Sequence, residues 1–270
     1  MYLAGVSVRR VEDITEALWG TRVSPSTVSN LNKKVCAKIE AWRNSPIEGA
    51  HPYVYLDGIV MQRVWAGEVR NVSLLVAIGV NAGGYREIPG ICEGARQDKA
   101  GWSGFLRHLL DRGLKGVGLI TSDACRGLVE SISEYLPEAR WQRCVVHFYR
   151  NVFSQAPSAK VREISHMLKA IHAQENRAAA EAKAGAVVDE VRRQRLVRAA
   201  DLIDAHVGET LTYYAFPDSH WVKLRTNNPL ERIRREIRRR TRVVGGFPDA
   251  TSCLYLVAAR RVAARRSSPA

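Results

Sequence analysis

The chain has 270 residues, 46% of them hydrophobic, which is enough for a buried core and for one or two domains. Lys and Arg number 41 against 27 Asp and Glu, a formal net charge of +14 that points to a polyanionic partner, nucleic acid first. The longest apolar run, Val72 to Val80, is too short to span a bilayer, and five scattered cysteines without a CxxC pair argue against a disulfide framework.

The opening MYLAGVSVRR is not read as a signal peptide, so a soluble, reduced, cytoplasmic protein is expected, with no membrane partner. Val8, Val11, Ile14 and Leu18 recur at helical spacing, and Gly20 stops the run. Ser24-Pro25 then reads as an N-cap and a first-turn proline, opening a second helix to about Trp42. Ser26, Ser29, Asn30 and Lys33 on that helix are candidate DNA contacts of a helix-turn-helix-like segment, residues 1–48. A plain helical hairpin packed on the core is the structural alternative.

Residues 49–154 alternate strand and helix. Strands are expected at Tyr53 to Leu56, Val72 to Val80, Tyr85 to Cys92, Val117 to Ile120 and Arg140 to Val146. Helices are expected at Trp102 to Leu114 and Leu128 to Leu136. That order builds a mixed sheet flanked by helices, an α/β class. Residues 155–215 are rich in Ala, Arg, Glu, Lys and Gln and predict two or three helices. Residues 216–270 end in a basic helix expected from Pro229 and an Arg/Ser tail.

Asp57 and Asp123 each close a predicted strand. Carboxylates there project into the cleft where a helix-covered sheet binds ligands, although either could be a simple loop-start or helix-cap aspartate. Glu231 follows Asn228-Pro229-Leu230. With Asn228 as N-cap it would be the third helical residue, a capping-box position. At about 100° per residue, Arg235, Arg238 and Arg242 share its face, with Arg239 nearby, and arginine forks suit phosphate oxygens. Too few acids accompany this run to neutralise it locally. Trp221 could stack on a displaced base or, equally in kind, fill the core. Ser122 lacks a GxSxG setting, which argues against a serine nucleophile.

The motifs YLDGI, TSDACRGL, RCVVHFYRN and TNNPLERIRREIRRRTRVVGGFP, in that order, resemble the Mutator-type transposases of bacterial insertion sequences. AGVSVRRVEDITEALWG with SPSTVS resembles the stretch before that family's first catalytic Asp, so the resemblance covers nearly the whole chain. It implies an RNase H-like core in which Asp57, Asp123 and Glu231 match a DDE triad, with the helical zone as an insertion before the Glu. Cys144 and His147 match a C-x-x-H signature and are expected to support the site by packing and hydrogen bonding, since zinc needs about four ligands and no second pair exists. Relatives carry a further N-terminal region, so a truncated product or an internal start is expected. Many relatives also have His where Cys125 stands.

Carboxylate-only sites suit Mg²⁺ or Mn²⁺, and two such ions clamp an in-line displacement at phosphorus. The expected activity is metal-dependent cleavage of element ends followed by strand transfer to target DNA, by a homodimer on DNA in the bacterial cytoplasm, associated with the nucleoid. A DNA-binding regulator with an inert core and a nuclease that cuts without joining are the alternatives.

Overall fold

In a computed structural model, which describes residues 8–65, 68–94, 98–228, 230, 231 and 235, the chain is a mixed α/β protein around one five-stranded sheet. Two helices come first, α1 (Val8–Trp19) and α2 (Pro25–Arg43). The Ser24 hydroxyl accepts from Thr27 N–H at 3.2 Å, and Pro25 sits in the first turn where its missing N–H costs nothing. On α1, Val11 and Thr15 face inward while Leu18 is exposed, so the buried stripe is narrower than the expected one. The end of α2 is anchored on the core. Ile39 and Trp42 are buried, and Arg43 Nε donates to the Ile91 carbonyl.

The strands are β1 (Tyr53–Trp65), β2 (Glu68–Val80), β3 (Arg86–Gly94), β4 (Leu119–Ser122) and β5 (Arg140–Arg143), in spatial order β3-β2-β1-β4-β5. β1, β2 and β3 form an antiparallel meander, whereas β4 and β5 run parallel to β1. Two expectations change here. β1 does not stop at Leu56 but continues to Trp65, because β2 pairs with it along its whole length. β5 ends at Arg143, and Val145 and Val146 are helical rather than extended.

Strand residues alternate between two faces. Val54, Leu56, Leu75, Ala77 and Ile120 point to one side, into a core completed by Trp102, Phe105, Leu106 and Leu109 of α3 (Lys99–Asp111) and Leu128 and Ile132 of α4 (Arg126–Tyr135). Each such large apolar side chain contributes about 1.5–3 kcal/mol on burial. α3 and α4 touch backbone to backbone at Gly127, where an added Cβ would lie 2.5 Å from the Lys99 nitrogen.

The opposite face of the sheet carries Tyr53, Tyr55, Leu119, Thr121 and Gln142. It is covered by the turns at Val207–Ala215 and by α9 (Asp218–Leu224) through Tyr213 and Leu224. Between β5 and α9 lies an all-helical body of α5 (Val145–Phe153), α6 (Val161–Ile171), α7 (Arg177–Arg193) and α8 (Val197–His206). Its own core joins Phe148, Val152, Ile164, Leu168, Val188 and Ile203. α6 shows why: Ile164, Leu168 and Ile171 recur at the spacing of one helical face. No helix among the described residues is long and apolar enough to cross a membrane.

Candidate active site

The register between β1 and β4 runs Tyr53–Leu119, Val54–Ile120, Tyr55–Thr121. Asp57 and Asp123 each follow the last pair of that ladder by two residues. Asp123 and Cys144 likewise each follow the last pair of the β4–β5 ladder by one residue. By alternation, Asp57 and Asp123 share the face of Tyr55 and Thr121. Contrary to expectation, Asp57 sits inside a strand and not at its end. What ends near Asp57 is the parallel ladder: β1 leaves β4 after Tyr55–Thr121.

Asp57 is buried, 3% exposed. Asp123 stands at the mouth of the turn into α4, where its Oδ1 accepts from Cys125 N–H at 3.3 Å. The N-cap of α4 is Cys125, so Asp123 is a loop residue and not a helix cap, and this bond orients its carboxylate.

A single segment crosses this face and delivers Glu231. The Tyr55 hydroxyl donates to the Lys223 carbonyl at 3.0 Å and the Thr121 hydroxyl to the Leu224 carbonyl at 2.8 Å. Val145 N–H donates to the Arg225 carbonyl at 3.0 Å. Asn227 then makes two contacts from full burial: its N–H donates to Cys144 Sγ at 3.3 Å and its Nδ2 to the Leu56 carbonyl at 3.1 Å. Five bonds in five residues fix this strap to two strands, β1 and β4, and to the start of α5.

The last helix begins at Asn228, one residue before the expected Pro229, and its N-cap is Asn227 rather than Asn228. The Asn227 carbonyl receives Leu230 N–H and Glu231 N–H at 2.9 and 3.0 Å. Glu231 is therefore the fourth helical residue. The capping-box account of it fails on that count, and the N–H such a box would satisfy goes to Cys144 Sγ. The Glu231 carboxylate instead meets α5: Arg150 lies 3.3 Å away and His147 Nε2 4.0 Å away. His147 and Arg150 are three apart on one helix and share a face.

Cys144 is the N-cap of α5, at 1% exposure. Burial is the main cause that raises its thiol above the ordinary range, and the negative charge of Asp57 adds to it. A thiol kept protonated is a poor metal ligand and a serviceable acceptor for Asn227. Among the described residues no three His, Cys, Asp or Glu side chains are gathered into a group that could hold a metal ion. The Glu231 carboxylate is engaged by Arg150 and His147 instead.

Among the other sequence candidates, Arg235 is exposed on the face that Glu231 occupies one turn earlier. Arg238, Arg239 and Arg242 lie outside the described residues. Ser26 and Asn30 are exposed on α2, and Ser29 and Lys33 belong to the same helix. Trp221 is a packing residue: it is partly buried, its Nε1 donates to the Phe216 carbonyl and its ring meets Tyr214 edge-on. Sequence reasoning missed Asn227 and Arg150. Both lie inside quoted motifs, TNNPLER and RCVVHFYRN, and Arg150 was readable as the residue one turn past His147.

The family model described as "Transposase, Mutator family" matches residues 1–265. The chain is 42% identical over 260 residues to the transposase for insertion sequence element IS1081 of Mycobacterium tuberculosis, covering 96% of this chain and 62% of that protein. It is 37% identical to the transposase for ISRM5 of Rhizobium meliloti over 97% of this chain and 66% of the relative. It is 33% identical to the transposase for IS256 in transposon Tn4001 of Staphylococcus aureus, over 96% and 67%. The chain thus spans about two thirds or less of the length of the curated relatives it matches.

Proposed function

Because the chain belongs to the Mutator family of transposases, we propose that it is the catalytic region of an enzyme that cuts insertion-sequence DNA ends and joins them to target DNA. What supports this reading is that Asp57 and Asp123 both follow the β1–β4 ladder on neighbouring strands, with a hydrogen-bonded strap leading from there to Glu231. The sheet order, an antiparallel meander followed by two parallel strands, supports an RNase H-like core, and the helical body after β5 supports an insertion preceding Glu231.

Asp57, Asp123 and Glu231 would hold Mg²⁺ or Mn²⁺, two ions in the complete site, since an all-carboxylate donor set suits hard cations. Bound there, the metal would supply Lewis acidity at phosphorus and a more acidic nucleophile. The chain's own residues do the rest. Asp57 and Asp123 stand fixed by the sheet. Glu231 must exchange Arg150 and His147 for the cation, which leaves those two side chains facing the phosphate backbone. Arg235 and the arginines that follow supply phosphate contacts of little sequence specificity.

In the first step water attacks phosphorus and the 3′-oxygen leaves. In the second the freed 3′-hydroxyl attacks a target phosphorus and displaces another 3′-oxygen. No protein nucleophile is needed. Two ends handled together call for a homodimer on DNA, and the bacterial cytoplasm, at the nucleoid, is the compartment that supplies this substrate.

The test is incubation with Mg²⁺, a labelled element end and a target plasmid. Joined product is the expected outcome. Nicks without joining would favour a nuclease, and a mobility shift without cleavage would favour a DNA-binding regulator.

A further inference from the structure

We infer that the groove between the Asn81–Tyr85 turn and α9 docks an unpaired stretch of the DNA substrate, an inference that rests on the transposase reading above. The groove holds about 760 Å³, room for a nucleotide. Tyr53 and Tyr55 line its floor, Tyr85 its rim, and Arg86, His220 and Lys223 its sides. Among the described lining residues there is no carboxylate. The neighbouring cavity, about 550 Å³, differs in carrying Glu48 and Glu87.

The parts are preset. Tyr85 is 74% exposed, so its ring is open to a partner. It is presented by a stiff turn: Asn81 Oδ1 accepts from both Gly83 N–H and Tyr85 N–H, at 3.1 and 3.0 Å. Gly84 has φ of +80°, which only glycine adopts without strain, and that turn leaves open backbone beside the ring. On the floor, the Tyr53 hydroxyl meets His220 Nδ1 at 2.8 Å, so the base of the groove is fixed. An exposed ring at the rim of a groove lined by Arg86 and Lys223 matches the stacking platform and electrostatic funnel that grip single strands without reading sequence.

The location suits the chemistry. Tyr55 precedes Asp57 by two residues on the same sheet face, roughly 7 Å along the strand, and the strap at Lys223–Asn227 passes between groove and carboxylates. A strand held here would be kept from re-annealing beside the cut.

Binding is measured by fluorescence anisotropy in EDTA, with a labelled single-stranded oligonucleotide and the matching blunt duplex. Excluding metal separates the result from catalysis. Tyr85→Ala should weaken single-strand binding about tenfold and leave the duplex within about twofold. Arg86→Ala with Lys223→Ala should reduce the salt slope by about 1.4. An oligonucleotide carrying 5-iodouracil should cross-link to the peptide containing Tyr85. All three side chains lie at the surface, and circular dichroism checks the fold. Unchanged or equal losses for both DNAs, or cross-links only elsewhere, would overturn the inference. Single-strand binding of the expected kind in a chain that neither cuts nor joins would sink the catalytic reading and leave the groove standing.

Discussion

The side-chain amide of Asn227 donates to the carbonyl of Leu56, the residue immediately before Asp57, across 171 positions of sequence. It does so just where β1 has parted from β4, so the amide takes a strand carbonyl that the ladder no longer serves. Four residues later on the same backbone stands Glu231. Asn227 is therefore the joint between the strand that carries one carboxylate and the helix that carries another.

Replacing it tests that joint. Asn227→Ala leaves the Leu56 carbonyl buried without its donor and should cost about 1–3 kcal/mol in urea unfolding. Strand transfer should fall further than stability does, because the folded fraction would still carry a loosened Glu231. Equal activity per folded molecule in the variant and the parent would remove Asn227 from any positioning role.

Glu231→Gln keeps shape and helix propensity. Its partner Arg150 is 56% exposed, so the lost pair should cost under about 1 kcal/mol. Activity should drop by more than the roughly 100-fold that outer-shell partners of metal sites carry. Full strand transfer by this variant would end the catalytic assignment.

Asp57 carries its carboxylate at 3% exposure, and burying a charge is costly. Asp57→Asn should raise the metal-free melting temperature by about 2–4 °C, the shift that about 1 kcal/mol produces in a chain near this size. Mn²⁺ should stabilise the parent by binding only the folded form, and the variant much less. The same Mn²⁺ shift in both proteins would place the cation elsewhere.

Gly127 is a packing requirement. A Cβ there would meet the Lys99 nitrogen at 2.5 Å and the Asp98 carbonyl carbon at 2.9 Å, both backbone. Gly127→Ala should cost about 1–3 kcal/mol by forcing α4 from α3. Since α4 starts just beyond Asp123, divalent-cation affinity should fall with it. A urea midpoint equal to the parent's would show that the two helices part without cost.

His172 sets an acid limit. Burial pushes its ring down to about 4, and its nitrogens lie 2.8 Å from Thr210 Oγ1 and 2.9 Å from the Tyr149 hydroxyl. Below about pH 6.5 the unfolded chain takes up a proton that the folded chain refuses. The stability tied to neutral His172 is therefore complete above pH 6.5, is lost as pH falls toward 4, and amounts to about 3 kcal/mol. Urea midpoints at pH 7 and 5 should differ accordingly, and His172→Gln should flatten the difference. Parallel losses in parent and variant would assign the acid sensitivity to other groups.

Much of this was legible from local pattern. The N-cap at Ser24, the helices of residues 155–215 and the buried strand at Val72 to Val80 follow from periodicity and capping, which short stretches of sequence specify alone. The two aspartates could be placed on a helix-covered sheet, and the motif order pointed to the family that the whole-chain match then established.

Where local pattern fell short, pairing decided. Nothing in YVYLD says that β1 continues past Asp57; β2 imposes that by offering a partner for every residue to Trp65. The run RCVVH reads as strand by propensity, yet Val145 turns helical because its N–H is taken by the Arg225 carbonyl and its side chain is buried. The cap at Asn227, the pairing of Glu231 with Arg150 and His147, and the groove under Tyr85 all join residues far apart in the chain. The sequence by itself determined the elements and the family. Only the tertiary structure decided how the carboxylate-bearing segments are joined and what holds Glu231, because long-range hydrogen bonds and burial act between segments whose local patterns carry no record of each other.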